Sequence, residues 1–380
     1  MTPAPLDPSA VAAALRPHGS SVMLPAQAYT SDAVLAWERR HVFAGGWTCL
    51  GRTAEVLDGA TQRAVEVGDV GVLLTAGGDS DDGRIRAYAN VCRHRGHELL
   101  PVGGAAAHRA VVCPYHGWSY RLDGALRAAP NFGEADVAGL DLVALPARDW
   151  QGWLFVNATA DAPDFDRYVG AMAGIVAPYG AGELVLRARH SYEVAANWKV
   201  VAENYHECYH CPLIHPELCQ VSPPTSGANW DLPGAWVGGS MELREHAETM
   251  SLTGRSGGRP LPGVDPRTVA YLGLLPNLLL STHPDYVMAH RLVPLAPGRT
   301  FIECSWYFPP EVEDGAYAVD FWDVTNREDW AACESVQRGL ANPHYRSGPL
   351  AAREDAVYQW VHLVASLYVD PAAALESACR

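Results

Sequence analysis

What this 380-residue sequence lacks narrows its function first. No apolar run approaches the roughly 20 residues that a membrane-spanning helix needs, and the N-terminus shows no charged start followed by an apolar core, so neither an anchor nor a secretory leader is expected. Basic residues are few: 28 Lys and Arg stand against 43 Asp and Glu, and the net charge of −15 argues against nucleic acid or anionic membrane as partners. No G-x-G-x-x-G opens a helix after a strand, so the chain carries no expected nicotinamide or flavin site. No internal repeat is visible. Nine cysteines form an odd number with no repeating framework, which excludes a disulfide scaffold. Cys49, Cys208, Cys211, Cys219, Cys304, Cys333 and Cys379 are expected to stay reduced, pointing to the cytoplasm. Cys208 and Cys211 mimic a C-x-x-C redox pair.

What is present is an ordinary globular composition, 48% apolar and 19% charged, long enough for two cored domains. A helix is expected over residues 31–43, with Ser31 as cap and Asp32 in its first turn. Strand character follows at 47–52, 65–74, 85–91, 111–112 and 151–157. Residues 77–83 read as a hairpin tip, since they lack the distal glutamate of a calcium loop. A helical stretch at 168–176 and a strand at 184–194 precede a helix starting near Asn197, which should loosen at Pro212. Residues 221–267, rich in Pro, Gly and Ser, read as loops over a pocket. Strands at 271–281, 286–294 and 300–308 and a helix at 321–340 complete the chain.

Potential metal chemistry is concentrated in two places. Residues 197–215 contain His206, His210, His215, Glu203 and Glu207 in an otherwise apolar or aromatic stretch, and on a helix Glu203, Glu207 and His210 would share a face. Two metal readings compete: His206-Glu207-x-x-His210 fits the H-E-x-x-H pattern of zinc proteases, whereas pairing His210 with His215 leaves Glu207 to orient an imidazole. Upstream, Cys92-Arg-His94 and Cys113-Pro-Tyr-His116 each offer a thiolate and an imidazole. A two-iron cluster would take Cys92 and Cys113 on one iron and His94 and His116 on the other. A Cys2His2 zinc site would use the same atoms.

The flanks of these pairs, C-R-H-R-G-H and C-P-Y-H-G-W-S-Y, resemble the two loops of Rieske [2Fe-2S] domains. With both segments in view, the chain resembles the α subunit of the Rieske non-heme iron oxygenases from about Trp47 to Gln337. Glu207-x-x-His210-x4-His215 fits that family's mononuclear iron motif, although many members carry aspartate at the first position. The resemblance implies an α+β chain in which a small all-β Rieske domain (46–160) precedes a larger catalytic domain (161–380) whose antiparallel sheet is flanked by helices. Residues 1–45 would be an N-terminal helical segment packing on the catalytic domain.

The same resemblance implies Fe(II) held by His210, His215 and a distant carboxylate. Asp329 is expected because Glu328-Asp329 followed by Glu334 and Gln337 looks like the family's third-ligand helix, and Asp355 is the fallback. O2 is the implied co-substrate, a separate flavin/iron-sulfur reductase the electron donor, and a head-to-tail homotrimer the assembly, with Glu207 bridging His210 to His116 of the next subunit. The phrases Leu275-Pro-Asn-Leu, His283-Pro-Asp-Tyr286, His290-Arg-Leu-x-Pro294 and Glu303-Cys-Ser-Trp306 look like the branch of choline, glycine betaine, carnitine and stachydrine oxygenases. A quaternary amine would sit in an aromatic cage drawn from Tyr205, Tyr209, Trp230, Trp236, Tyr286 and Trp306. Small aromatic acids stay open as substrates, and a zinc protease or a pure Rieske electron carrier stay open as alternatives of other classes.

Overall fold

The computed structural model describes residues 2–77 and 83–379, so most of the expected tip at 77–83 lies outside the described residues. The chain divides into two units, Glu38–Ala162 and a larger one made of Met1–Trp37 with Pro163–Arg380. Residues 38–45, read from the sequence with the N-terminal segment, fall in the smaller unit. Arg39–Ala44 forms a π-helical turn there, and Arg40 pairs with Asp69 at 2.7 Å.

The smaller unit is built from short antiparallel strands. The stretch expected as one strand over 65–74 is a hairpin, Gln62–Val67 with Val70–Thr75. Its turn uses Gly68 at φ +65°, where an added Cβ would meet the Arg39 carbonyl oxygen at 1.9 Å, so glycine alone fits. This hairpin is the middle of a five-stranded sheet, and the three-stranded sheet Ala110–Val112, Ser119–Arg121, Leu126–Ala128 lies beside the second Cys/His loop in sequence. Cys92, Cys113, Trp118 and Tyr120 are buried in one apolar cluster with Leu73, Tyr88 and Val111, so both thiols belong to the core of the unit.

In the larger unit a seven-stranded antiparallel sheet runs in the order Val185–Val194, Arg299–Phe308, Val287–Ala296, Leu278–Thr282, Thr268–Leu274, Trp236–Glu242, Ala228–Trp230. Leu278–Thr282, in the middle, is buried at every position, as a strand covered on both faces must be. The run expected as one strand over 271–281 is two, because residues 275–277 turn the chain and Pro276 cannot donate to a ladder. The expected stretch at 168–176 likewise splits into Phe165–Val169 and Met172–Val176 around Gly170 at φ +53°.

Helix Ala316–Leu340 carries its buried face at Ala318, Phe321, Trp322, Thr325, Asn326, Cys333, Gln337 and Leu340, the three- and four-residue spacing of a face laid on a core. Asp329 sits on that face where an apolar residue would otherwise stand. Gln337, on the same face, accepts a 2.9 Å hydrogen bond from the Asn197 backbone amide, while the Asn197 side chain caps helix Trp198–Tyr205 through Lys199 N. One glutamine thus fastens the start of the histidine segment to the helix that carries Asp329.

Loops between Leu243 and Thr268 are held by a buried carboxylate. Asp285 accepts hydrogen bonds from the hydroxyls of Thr249 (2.6 Å), Ser256 (2.5 Å) and Tyr317 (2.6 Å). Burial pushes its pKa up, and the three hydroxyls oppose that shift.

Candidate active site

Helix Trp198–Tyr205 stops well before Pro212, so the expected continuous helix through His210 does not form. The chain bends over 206–210, and Pro212 falls in the first turn of a new short helix, Cys211–Ile214, where its missing amide hydrogen costs nothing. Glu207 organises the bend: one carboxylate oxygen accepts from His210 Nδ1, and the other from the backbone amides of Tyr209 and His210. Cys208 and Cys211 are brought to a Cα separation of 4.9 Å and are joined in a disulfide. The expectation that both stay reduced is corrected here, because the bend places the two thiols face to face.

His210 Nε2 and His215 Nε2 lie 3.1 Å apart, and Asp329 Oδ1 lies 2.9 Å from the second and 3.4 Å from the first. Each imidazole donates from Nδ1 to its own carboxylate, His210 to Glu207 and His215 to Glu328 at 2.7 Å. With both Nδ1 atoms protonated, two lone-pair nitrogens and a carboxylate oxygen converge on one point with no donor between them. Such a triangle needs a cation at its centre. The surrounding carboxylates favour positive charge at this point: burial pulls the His210 pKa down, but Asp329 and Glu207 outweigh it and raise it to about 10, a charge that a metal ion would supply in place of the protons, and Asp329 is kept low against burial by the two histidines. Among the described residues this is the group of three whose ligand atoms all lie within 4.8 Å of one another, a 2-His-1-carboxylate set with room for further ligands. Asp355 lines the cavity beside it without joining the histidines.

His206 does not join the trio. Its ring is buried against Trp360 at 5.1 Å, an added Cβ on Gly273 would sit 2.3 Å from its Nε2, and burial lowers its pKa to about 3. The H-E-x-x-H protease reading fails on this placement.

The four residues of the upstream loops are arranged with an internal repetition. Cys92 and Cys113 each accept at the carbonyl from the glycine four residues on, Gly96 at 3.0 Å and Gly117 at 3.1 Å, and each donates its amide to the residue five on, His97 at 2.8 Å and Trp118 at 2.7 Å. Both glycines have φ +74°. Two equivalent turns therefore present two thiols and two imidazoles, with the His94 and His116 rings 4.7 Å apart. Tyr120 OH accepts from the Arg93 amide at 3.0 Å and lies 3.4 Å from Cys92 Sγ. His94 stacks on Trp118, and its buried Nδ1 has no hydrogen-bond partner. A cluster spanning the two turns would give that nitrogen one, and the paired turns suit two irons, each with like ligands. The four do not converge within the 4.8 Å that a single zinc ion would demand.

A cavity of about 280 Å³ opens on the His210, His215 and Asp329 trio. Of the expected cage, Tyr205 and Tyr209 line it, whereas Trp230, Trp236, Tyr286 and Trp306 do not. Tyr286 and Trp306 are fully buried in the core behind it, where Tyr286 takes a 2.7 Å hydrogen bond from Trp322 Nε1. The aromatic wall is made instead by Trp322, Tyr271, Tyr205, His290 and Trp330, successive rings lying 5.9 to 6.3 Å apart. Sequence reasoning missed Trp322 and Trp330, although both sit within seven residues of Asp329 on one helix face or its flank. It also missed Glu328, which the acidic pair had placed beside Asp329. Burial lowers the His290 pKa to about 4, so this ring presents no positive charge to the cavity at neutral pH.

Comparison with known proteins agrees with both halves. The description "Ring hydroxylating alpha subunit (catalytic domain)" matches residues 182–369 and "Rieske [2Fe-2S] domain" matches residues 46–144. The chain is 30% identical to the carnitine monooxygenase oxygenase subunit of Escherichia coli K12, over 85% of each chain. It is 29% identical to the glycine betaine monooxygenase oxygenase subunit of Chromohalobacter salexigens, over 90% of this chain and 84% of that one. The solved structure of a quaternary ammonium Rieske monooxygenase superposes with a TM-score of 0.74 at 26% identity, covering 96% of this chain and 99% of the other. Naphthalene 1,2-dioxygenase, at 18% identity and a TM-score of 0.69, shares the fold.

Proposed function

Because the chain belongs to the ring-hydroxylating oxygenase α subunits, which join a Rieske [2Fe-2S] domain to a mononuclear iron domain, we propose that it is the terminal oxygenase of a multicomponent system that oxidises a quaternary ammonium compound. The observation that carries this reading is a 2-His-1-carboxylate triangle opening on a cavity walled by aromatic rings. In this reading His210, His215 and Asp329 hold Fe(II), and Cys92, His94, Cys113 and His116 hold the cluster. When bound, the cluster supplies electrons and the mononuclear iron activates O2 for insertion into a C–H bond.

The chain's own residues have four tasks. Glu207 and Glu328 keep both imidazoles in the Nε2-open tautomer and aim them at one point. Tyr205, Tyr271, Trp322 and Trp330 offer ring faces to a trimethylammonium group, whose charge needs no hydrogen-bond partner and is drawn to π-electron density. The neutral His290 completes that wall without repelling the cation. Packing of these rings around the cavity limits water at the site of oxidation. Hydroxylation of an N-methyl carbon leaves a hemiaminal that collapses to formaldehyde and the demethylated amine.

Electrons come from a separate reductase, and we place the protein in the cytoplasm as a head-to-tail homotrimer. His116 and Tyr115 are exposed on their own unit, which supports a route from the cluster edge into a neighbouring subunit through Glu207 and His210. Among the described residues no helix is long and apolar enough to cross a membrane.

The test is coupled O2 uptake and formaldehyde release with NADH and a surrogate reductase, across quaternary amines and small aromatic acids. Demethylated amine as the product supports the reading. Turnover of aromatic acids alone would replace it with ring hydroxylation or O-demethylation.

A further inference from the structure

We infer that Arg353 is a specificity-determining residue that receives an anionic group, carboxylate or phosphate, at the end of the substrate remote from its ammonium, so that zwitterionic amines are preferred over purely cationic ones. The inference rests on the quaternary-amine reading above and concerns the opposite end of the same ligand.

Arg353 is the one Lys or Arg among the residues that line the cavity. It stands in the turn that leads into helix Asp355–Val369, and Ala352, Asp355 and Ala356 of the same stretch line the cavity with it. Two carboxylates follow it directly in sequence, yet neither pairs with it. Glu354 is taken by the Ala351 amide at 2.6 Å, and Asp355 by the Ala356 amide at 3.1 Å. Arg353 forms no ion pair or hydrogen bond with any described residue, so its five donors are free.

The carboxylates on the cavity wall are Glu207, Asp329 and Asp355, and each is already engaged: Glu207 by His210 and its own turn, Asp329 by the two histidines, Asp355 by the Ala356 amide. An arginine facing this cavity would repel a ligand that carries only positive charge. A dipolar ligand uses both features, its ammonium against the rings and its anion against the guanidinium fork, which matches two oxygens of a carboxylate or phosphate at once. The positive end of the helix that begins at Asp355 adds to the same attraction.

The test compares wild type, Arg353→Gln and Arg353→Lys on choline, glycine betaine, γ-butyrobetaine and phosphocholine, measuring kcat and KM from formaldehyde release. Losing a charge-assisted pair should lower the kcat/KM ratio of the preferred zwitterion over choline by about tenfold or more in Arg353→Gln, through KM rather than kcat. Arg353→Lys should recover part of it, since an ammonium keeps the charge and loses the fork. The carboxylate and phosphate arms identify which anion is read. A ratio that Arg353→Gln leaves unchanged overturns this inference while the quaternary-amine reading stands. A wild type that demethylates none of the four amines overturns both.

Discussion

Glu328 and Glu207 hold the Nδ1 atoms of His215 and His210, so the proposed iron triangle is set as much by its outer carboxylates as by the three atoms facing inward. Changing Glu328 to Ala should free the His215 ring to rotate and switch tautomer, lowering iron affinity by roughly tenfold to a hundredfold. Fe(II) titration of the metal-free protein measures this without turnover, and Glu328→Gln should recover part of the loss because its carbonyl still accepts. Deeper in the core, burial raises the Glu203 pKa from 4.5 to about 8 against the opposing pull of the Tyr29 hydroxyl and Lys199. The sign follows from proton uptake. A glutamate that holds its proton more tightly when folded favours the fold fully below about pH 4.5, and that contribution is lost as pH rises towards about 8. Melting temperature against pH should therefore slope downward across this window in wild type and flatten in Glu203→Gln. An equal slope in both would place the titrating group elsewhere.

At the scale of elements, the structure shows which local signals were sufficient to read from sequence. The long helix was legible as the last strong helical stretch of the chain, and Asp329 was singled out through the family resemblance of Glu328-Asp329 followed by Glu334 and Gln337; its place on the buried face of that helix came only with the structure. The two Cys/His turns were legible because metal-ligand spacing survives without any knowledge of packing. The helix end at Tyr205 was not, since it depends on the Glu207 carboxylate turning back onto two amides, an interaction that competes with helix and has no periodicity. The cage was half legible: Tyr205 was found, but nothing in a sequence separates the ring that walls a cavity, Trp322, from the ring that packs behind it, Tyr286.

Two predictions belong to these elements. Replacing Asp285 with Ala strands three hydroxyls and should destabilise the larger unit by about 2–4 kcal/mol, with proteolysis appearing first in residues 243–268. The Cys208–Cys211 disulfide closes the turn that holds Glu207 against His210, so Cys208→Ser with Cys211→Ser should retain less iron than wild type under oxidising conditions and match it in strong reductant. Iron content after desalting in each condition checks this.

For the whole molecule, the proposed electron route makes each subunit a donor to one neighbour and an acceptor from another. Cys92→Ser subunits without a cluster and Asp329→Ala subunits without mononuclear iron should each be inactive alone, yet regain a measurable part of wild-type turnover when coexpressed and co-purified. Failure of such mixed assemblies to turn over, with both metals present by analysis, would confine the route to one chain. Glu207→Gln within this scheme should keep most of both irons and lose product formation.

Lys199, the chain's one lysine, is wholly buried, with its ammonium 5.0 Å from the Trp198 ring and 5.5 Å from the Tyr29 ring. Its setting has a practical outcome. Reagents that seek primary amines, such as succinimidyl cross-linkers, biotin labels and amine-coupled sensor surfaces, will find almost nothing to react with on the folded protein beyond its amino terminus. Mapping where the reductase docks will need chemistry aimed at the abundant carboxylates, and any bulk amine labelling that does occur will report unfolding.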